Sequence, residues 1–294
     1  MGTEPANTAE TKPAANPLSK FFRIPAIYLT LPSGGKYWEP GSIEFPDSGE
    51  LAVFPMTNRD EIMIRTPDPL INGTGVVDTI MSCIPAIKDA WKMPAVDVDA
   101  CLIAMRIASY GHQMDFNARC GECDTEDDYA IDLRQLLEGI KAPDYSQPLD
   151  LSVVKIRFRP QRYWESNFSN KTTFEVRKLQ QAIDALPRDE ENEEKTKILT
   201  DQLLKVNEIN HKIMAQSTEY IEIVESGDRV IDPVQIEEFY SEIDRITFEK
   251  IQNEITRLQA EGALKPVKLS CASCGKPLEI TILFDYSNFF AVGS

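Results

Sequence analysis

Histidine is nearly absent: His112 and His211 are the only two in 294 residues, and neither has a partner at the helical spacing of an HExxH zinc motif. No GxxxxGK phosphate loop, GxGxxG turn or GxSxG elbow occurs either, so the common nucleotide-binding and hydrolase signatures are missing. Acidic residues are so abundant that any catalytic carboxylate pair could be chosen at will, which makes the choice uninformative. Nothing in the chain selects an enzyme or a small-molecule substrate.

Positive charge is also short. Lys and Arg total 31 against 47 Asp and Glu, a formal charge of −16, and a nucleic-acid backbone would meet a repulsive average field. Long apolar runs are lacking too: Cys101 to Met105 is typical, far below the roughly 20 residues that span a bilayer, so no membrane segment is expected. Met1 to Lys20 lacks the basic stretch and apolar run of a secretory signal and is rich in Ala, Thr, Pro and Asn instead. It reads as a disordered tail.

What is present is an apolar fraction of 42%, enough for most of the chain to fold. Ile24, Ile27 and Leu29 suit a strand that ends at the Ser33-Gly34-Gly35 turn, and Leu51 to Phe54 suits a second. Thr57 followed by Asp60 and Glu61 predicts a capped helix through Arg65. Two further helices are expected, Val76 to Cys83 with Thr74 as cap, and Val98 to Tyr110 between the cap Asp97 and the terminator Gly111. The second is apolar on most faces and should be the central core helix. Arg106 is its one oddity, best paired with Asp97 or Asp99.

Beyond the strand Lys155 to Phe158 the composition shifts to long, charged, glycine-poor segments. Apolar residues recur at three- and four-residue steps in Phe174 to Leu186 and in Leu199 to Val224, and Asp232-Pro233 opens another helical stretch that Gly262 closes. Pro187 to Lys195 reads as a solvated connection. His211 is expected on a polar face.

Four of the six cysteines form two pairs, Cys120-Gly121-Glu122-Cys123 and Cys271-Ala272-Ser273-Cys274. Two thiolates on one tight turn span neighbouring vertices of a tetrahedron, so two such turns make a four-cysteine structural zinc site. Met114 to Arg119, Asp128 to Leu133, Val267 to Ser270 and Leu278 to Phe284 read as strands around the pairs, placing each at a hairpin tip, as in a zinc ribbon. A redox dithiol stays open but fits poorly, since thioredoxin-like pairs open a helix after a strand; a metal-free pair of turns also stays open. His112 could replace one cysteine, although four already complete the tetrahedron. Cys83 and Cys101, on apolar helices, read as core residues.

The expected architecture is therefore α+β: a small mixed core with a discontinuous four-cysteine zinc ribbon and an inserted all-helical arm. Residues 1–20 form the tail, 21–150 the core with the first knuckle, 151–262 the helical insertion, and 263–294 the second knuckle with a C-terminal strand completing the core. The other reading of such a ribbon is an adaptor in a nucleic-acid-related process acting through protein contacts. Lys265, Lys268 and Lys276 would be its basic patch, and the acidic stretch Asp124 to Asp128 opposes it.

A series of short segments stands out in order along the chain: Leu29 to Tyr37, with the tripeptide Leu31-Pro32-Ser33; Gly49-Glu50-Leu51 leading to Pro55-Met56-Thr57; Asp60-Glu61; Pro69-Leu70 and Gly73; Cys83-Ile84-Pro85; Arg106 to Gly111; both cysteine pairs; and Ser287 to Phe290. Together they resemble a family of baseplate proteins from contractile-tailed phages of the T-even type, described as hub subunits or hub assembly proteins. The resemblance runs from about Phe21 to Phe290. It implies a structural or assembly role in the virion tail baseplate, reached through the host cytoplasm. Its partners would be other baseplate and tail proteins, with a second copy of the chain as a further candidate.

Overall fold

The structure, a computed structural model, describes residues 16–67, 72–184, 193–280 and 289–290. Most of the expected tail, the centre of the charged connection and the far end of the last expected strand lie outside the described residues.

The N-terminal half is a helical core edged by short strands. Strands β1 (Ile27–Leu29) and β2 (Leu51–Val53) pair antiparallel, with Leu29, Leu51 and Val53 turned into the core. Helix α1 (Asn58–Arg65) starts as its sequence predicts, with a reciprocal box: Asp60 N–H donates to Thr57 Oγ1, and Thr57 N–H donates to the Asp60 carboxylate. Helix α2 (Thr74–Cys83) follows Gly73 at φ +79°. Thr74 is thus the first helical residue, not the cap, because the left-handed glycine makes the turn.

Helix α3 (Ala95–Tyr110) runs through the middle, with every residue from Ala100 to Arg106 buried. It begins at Ala95 after Pro94, three residues before the expected start, and this corrects the role given to Asp97. Asp97 lies inside the first turn with its carboxylate turned into the protein. Gly111 ends α3 at φ +91°, as expected.

Next come the hairpin β3 (Gln113–Arg119) and β4 (Glu126–Asp132), helix α4 (Leu133–Gly139), and the strands β5 (Leu149–Asp150) and β6 (Val154–Phe158). Two long helices follow, α5 (Tyr163–Asp184) and α6 (Glu193–Gln216), then β7 (Thr218–Ile223) and β8 (Arg229–Val230), α7 (Pro233–Glu242) and α8 (Arg245–Gly262). The hairpin β9 (Val267–Ser270) and β10 (Pro277–Ile280) closes the described chain before Phe289 and Phe290.

The α+β class holds, but the inserted unit is not all helical. Thr218 to Ile223, expected as the end of a helix, is the third strand of an antiparallel sheet ordered β5-β6-β7-β8. The helix stops where the hydroxyls of Ser217 and Thr218 donate back to the carbonyls of Ile213 and Met214. Ile221 then pairs with Ile156, one side facing the core of this unit.

Two sets of buried side chains result. One joins β1, β2, α2, α3 and α4 with Met114, Tyr129, Ile131, Leu278, Ile280, Phe289 and Phe290. The other gathers Tyr145, Ile156, Phe158, Met214, Ile221, Ile236, Tyr240, Ile251, Ile255 and Leu258. They meet at the start of α3, where Ala95 N–H donates to Gln161 O and Tyr163 N–H to Met93 O, both at 2.7 Å. Trp91 stacks on Tyr163 at the same junction, with ring centroids 5.6 Å apart.

Candidate metal centre

Each cysteine pair sits in the loop of a two-stranded hairpin. The last pair of the first hairpin is Arg119 with Glu126, and that of the second is Ser270 with Pro277, leaving Cys120–Thr125 and Cys271–Lys276 as loops of equal length. Their backbones bond alike. Cys120 N–H donates to Thr125 O and Asp124 N–H to Cys120 O; Cys271 N–H donates to Lys276 O and Gly275 N–H to Cys271 O, all at 2.8 to 2.9 Å. Position five of each loop is left-handed, Asp124 at φ +62° and Gly275 at φ +70°. Two copies of one loop design therefore face each other, although 148 to 154 residues separate them in sequence.

All four Sγ atoms lie within 4.8 Å of one another. Cys120 Sγ is 3.8 Å from Cys274 Sγ, and Cys123 Sγ is 3.6 Å from Cys271 Sγ. A disulfide needs about 2.05 Å. A tetrahedral zinc with ligands at about 2.3 Å needs sulfur-to-sulfur edges of about 3.8 Å, so the spacing fits a metal and not a bond. Cys120 and Cys271 are buried while Cys123 and Cys274 are exposed at the rim.

The loops also prepare thiolates. Amides of Cys274 and Ser273 aimed at its sulfur bring Cys271 down to about 6. The hydroxyl and amide of Thr125 lower Cys123. Cys274 goes the other way: the Lys276 amide favours its thiolate, but desolvation and the sulfurs of Cys271, Cys123 and Cys120 push it up to about 11. Opposite shifts within one cluster are the mark of like charges crowded together, and a divalent cation at the centre would turn that repulsion into attraction. Around the cluster, Lys276 of one loop pairs with Glu122 of the other, and Ala272 N–H approaches the Tyr129 hydroxyl at 3.5 Å.

The other candidates fall elsewhere. His112 lies just before β3, about 25 Å of strand away from Cys120. His211, expected on a polar face, is buried with its ring edge-on to Phe248 at 5.3 Å, because α6 packs that side into the second core. Cys83 and Cys101 are fully buried core residues, as expected; burial pushes the Cys83 thiol up to about 12. Arg106 lies two turns or more from Asp99 and Asp97, beyond the reach of helical neighbours, with its guanidinium over the rings of Tyr110 and Phe289 at 4.8 and 5.8 Å.

Asp97 has a different task, hidden by its resemblance to a helix cap. Its carboxylate accepts from Ser33 N–H at 2.8 Å, Ser33 Oγ at 2.6 Å and Trp38 Nε1 at 2.9 Å, clasping the loop after β1 to the core helix. Burial lifts it to about 6 in spite of these bonds. A second clasp centres on Arg23, which donates to Pro55 O, Ser82 O, Ser82 Oγ and the Asp60 carboxylate.

A family profile described as T4 bacteriophage base plate protein matches residues 25–291. Searches of curated proteins and of solved structures gave no match. The profile spans the Leu31-Pro32-Ser33 loop with its Asp97 clasp, both cysteine loops and the chain between them, and the chain therefore belongs to the T4 bacteriophage base plate protein family.

Proposed function

We propose that this chain is a non-enzymatic structural or assembly component of the hub region of a contractile tail baseplate. It acts by association with other tail proteins on a scaffold stapled by one structural zinc. Membership of the baseplate family carries the reading. The metal is held by Cys120, Cys123, Cys271 and Cys274, whose four sulfurs lie within 4.8 Å of one another; four thiolates would complete a tetrahedral zinc and leave no position for a substrate. In this reading residues 21–150 and 263–294 form the base, and residues 151–262 are the arm presented to partners. The cysteine loops close around the two ends of that arm, so the zinc fixes its base. The particle would be built in the host cytoplasm and the chain retained in, or released from, the finished tail.

Quantitative mass spectrometry of purified virions and of baseplate intermediates tests this. A fixed ratio to known baseplate chains in virions is the result expected of a retained subunit, and presence in intermediates alone identifies an assembly factor. Absence from both overturns the proposal. Native mass spectrometry with and without a strong chelator tests the metal: one zinc per chain is expected.

A further inference from the structure

The two cysteine loops share one backbone design but differ in where their sulfurs find support. In the first loop the support is local. The Thr125 hydroxyl lies 3.4 Å from Cys123 Sγ, and the Thr125 amide bonds the same sulfur. The sixth residue of the second loop is Lys276 in place of Thr125. It has no hydroxyl to offer, and its ammonium reaches across to Glu122 of the first loop.

A hydroxyl for the second loop comes instead from the first hairpin. Tyr129 lies on β4, four residues beyond Thr125, and strand alternation puts it on the same face as Ile131. Both are buried in the main core with Leu278 and Ile280 of β10, so packing fixes the tyrosine ring between the hairpins. Its hydroxyl meets the second loop twice: it bonds the side chain of Cys271, and Ala272 N–H is aimed at its oxygen from 3.5 Å. A phenol has one proton to give and lone pairs to accept with. One hydroxyl can therefore donate to the Cys271 thiolate while it accepts from the next amide.

We propose that Tyr129 is a positioning residue of the metal centre, a hydrogen-bond donor from one hairpin that sets the Cys271 sulfur of the other. The inference rests on the four-cysteine metal reading above and deepens it. Groups that bond a ligand from outside the ligand set fix its orientation and tune its donor strength. Here that group is 143 residues from Ala272 in sequence, so the second loop is prepared for a metal only when the two hairpins are packed together. The Glu122–Lys276 pair also crosses between the loops, but both side chains are more than half exposed, where solvent screens such a pair.

Zinc affinity of the full-length chain, read by competition with a chromophoric chelator, tests this on wild type, Tyr129→Phe and Glu122→Gln, alongside melts of the metal-free proteins. Tyr129→Phe removes one oxygen and keeps the ring in the core. It should weaken zinc about 10- to 100-fold with a nearly unchanged metal-free melt, while Glu122→Gln stays within about fivefold of wild type. Cobalt(II) at saturation gives a second readout. Losing the hydrogen bond raises the energy of the Cys271 sulfur lone pairs, so the sulfur-to-cobalt charge-transfer band of Tyr129→Phe should move to longer wavelength, which a merely structural tyrosine would not cause. A wild type that takes up no zinc removes the metal reading and this inference with it. A wild type that binds zinc, with Tyr129→Phe within about fivefold of it or with an unshifted cobalt band, overturns this inference alone.

Discussion

If the four cysteines hold zinc as proposed, removing it should lower the stability of the whole chain and not merely loosen two loops. The cysteine pairs lie 148 to 154 residues apart, so a metal bound to both closes a loop of about 150 residues. With the chain-entropy relation used for disulfides, a loop of that size restricts the unfolded state by about 5 kcal/mol at 25 °C, and a metal clip acts in the same way. The folded state should survive the loss, because Met114, Tyr129, Ile131, Leu278 and Ile280 keep both hairpins anchored in the main core. At roughly 2–4 °C per kcal/mol for a large domain, the melting temperature should fall by about 10 °C or more on chelation. Paired calorimetric melts of wild type and Cys271→Ser, each with zinc and with chelator, give the answer. Wild type should shift, and Cys271→Ser should start low and ignore the chelator. A wild-type shift under about 2 °C, or an equal shift in the variant, would refute the clamp.

Three further substitutions probe the rest of the structure. Burial lifts both Asp97 and Asp99 to about 6. As pH rises from about 4 to 6 the unfolded chain therefore gives up these protons first, and stability declines through that window. Asp99→Asn should then stabilise the protein at pH 7 by roughly 1–3 kcal/mol relative to wild type and change little at pH 4; comparing variant with wild type by urea midpoint at each pH cancels the acid lability that a metal on the four cysteines would bring. Gly73→Ala should cost about 2 kcal/mol, since φ is +79° and the new Cβ would stand 2.9 Å from Trp91 and 3.0 Å from Asn167, a change read in the same urea titrations. Glu165 is buried and accepts from both Arg159 Nη atoms and from Arg162 N–H, so Glu165→Ala should cost about 3–5 kcal/mol by stranding Arg159, and limited proteolysis should show cleavage near the junction of the two cores.

Local chemistry made much of this legible in the sequence. The cysteine spacing identified both loops, the Thr57 and Asp60 box marked a helix start, and the apolar density of Val98 to Tyr110 marked the central helix. What the sequence concealed depends on partners far along the chain. Thr218 to Ile223 continues the periodicity of the helix before it, and only pairing with Val154 to Phe158 makes it a strand. Asp97 sits where a cap would, yet its carboxylate is spent on Ser33 and Trp38, 64 and 59 residues earlier. His211 has polar neighbours in sequence, and Phe248 decides its environment.

These distant partners converge on the first turn of α3, which explains why that helix starts where its own sequence gives no cap. Ala95 N–H, one of the donors that a helix start leaves unpaired, is taken by Gln161 O, between β6 and α5. Val96 lies against the way out: a Cβ on Gly262 would meet its side chain at 3.5 Å and the Pro143 ring at 3.0 Å. Asp97, next in the turn, holds the loop after β1. One helical turn thus meets Gln161, Gly262 and the Leu31-Pro32-Ser33 loop, so a side-chain cap from the local sequence was never required. A metal held by the four cysteines would tie the same stretches of chain a second time, from the hairpins that flank them. Chain segments that leave and return to one core are steadier when held at more than one level, and here the first level is the hydrogen-bonded start of α3, to which a metal on the four sulfurs would add a second.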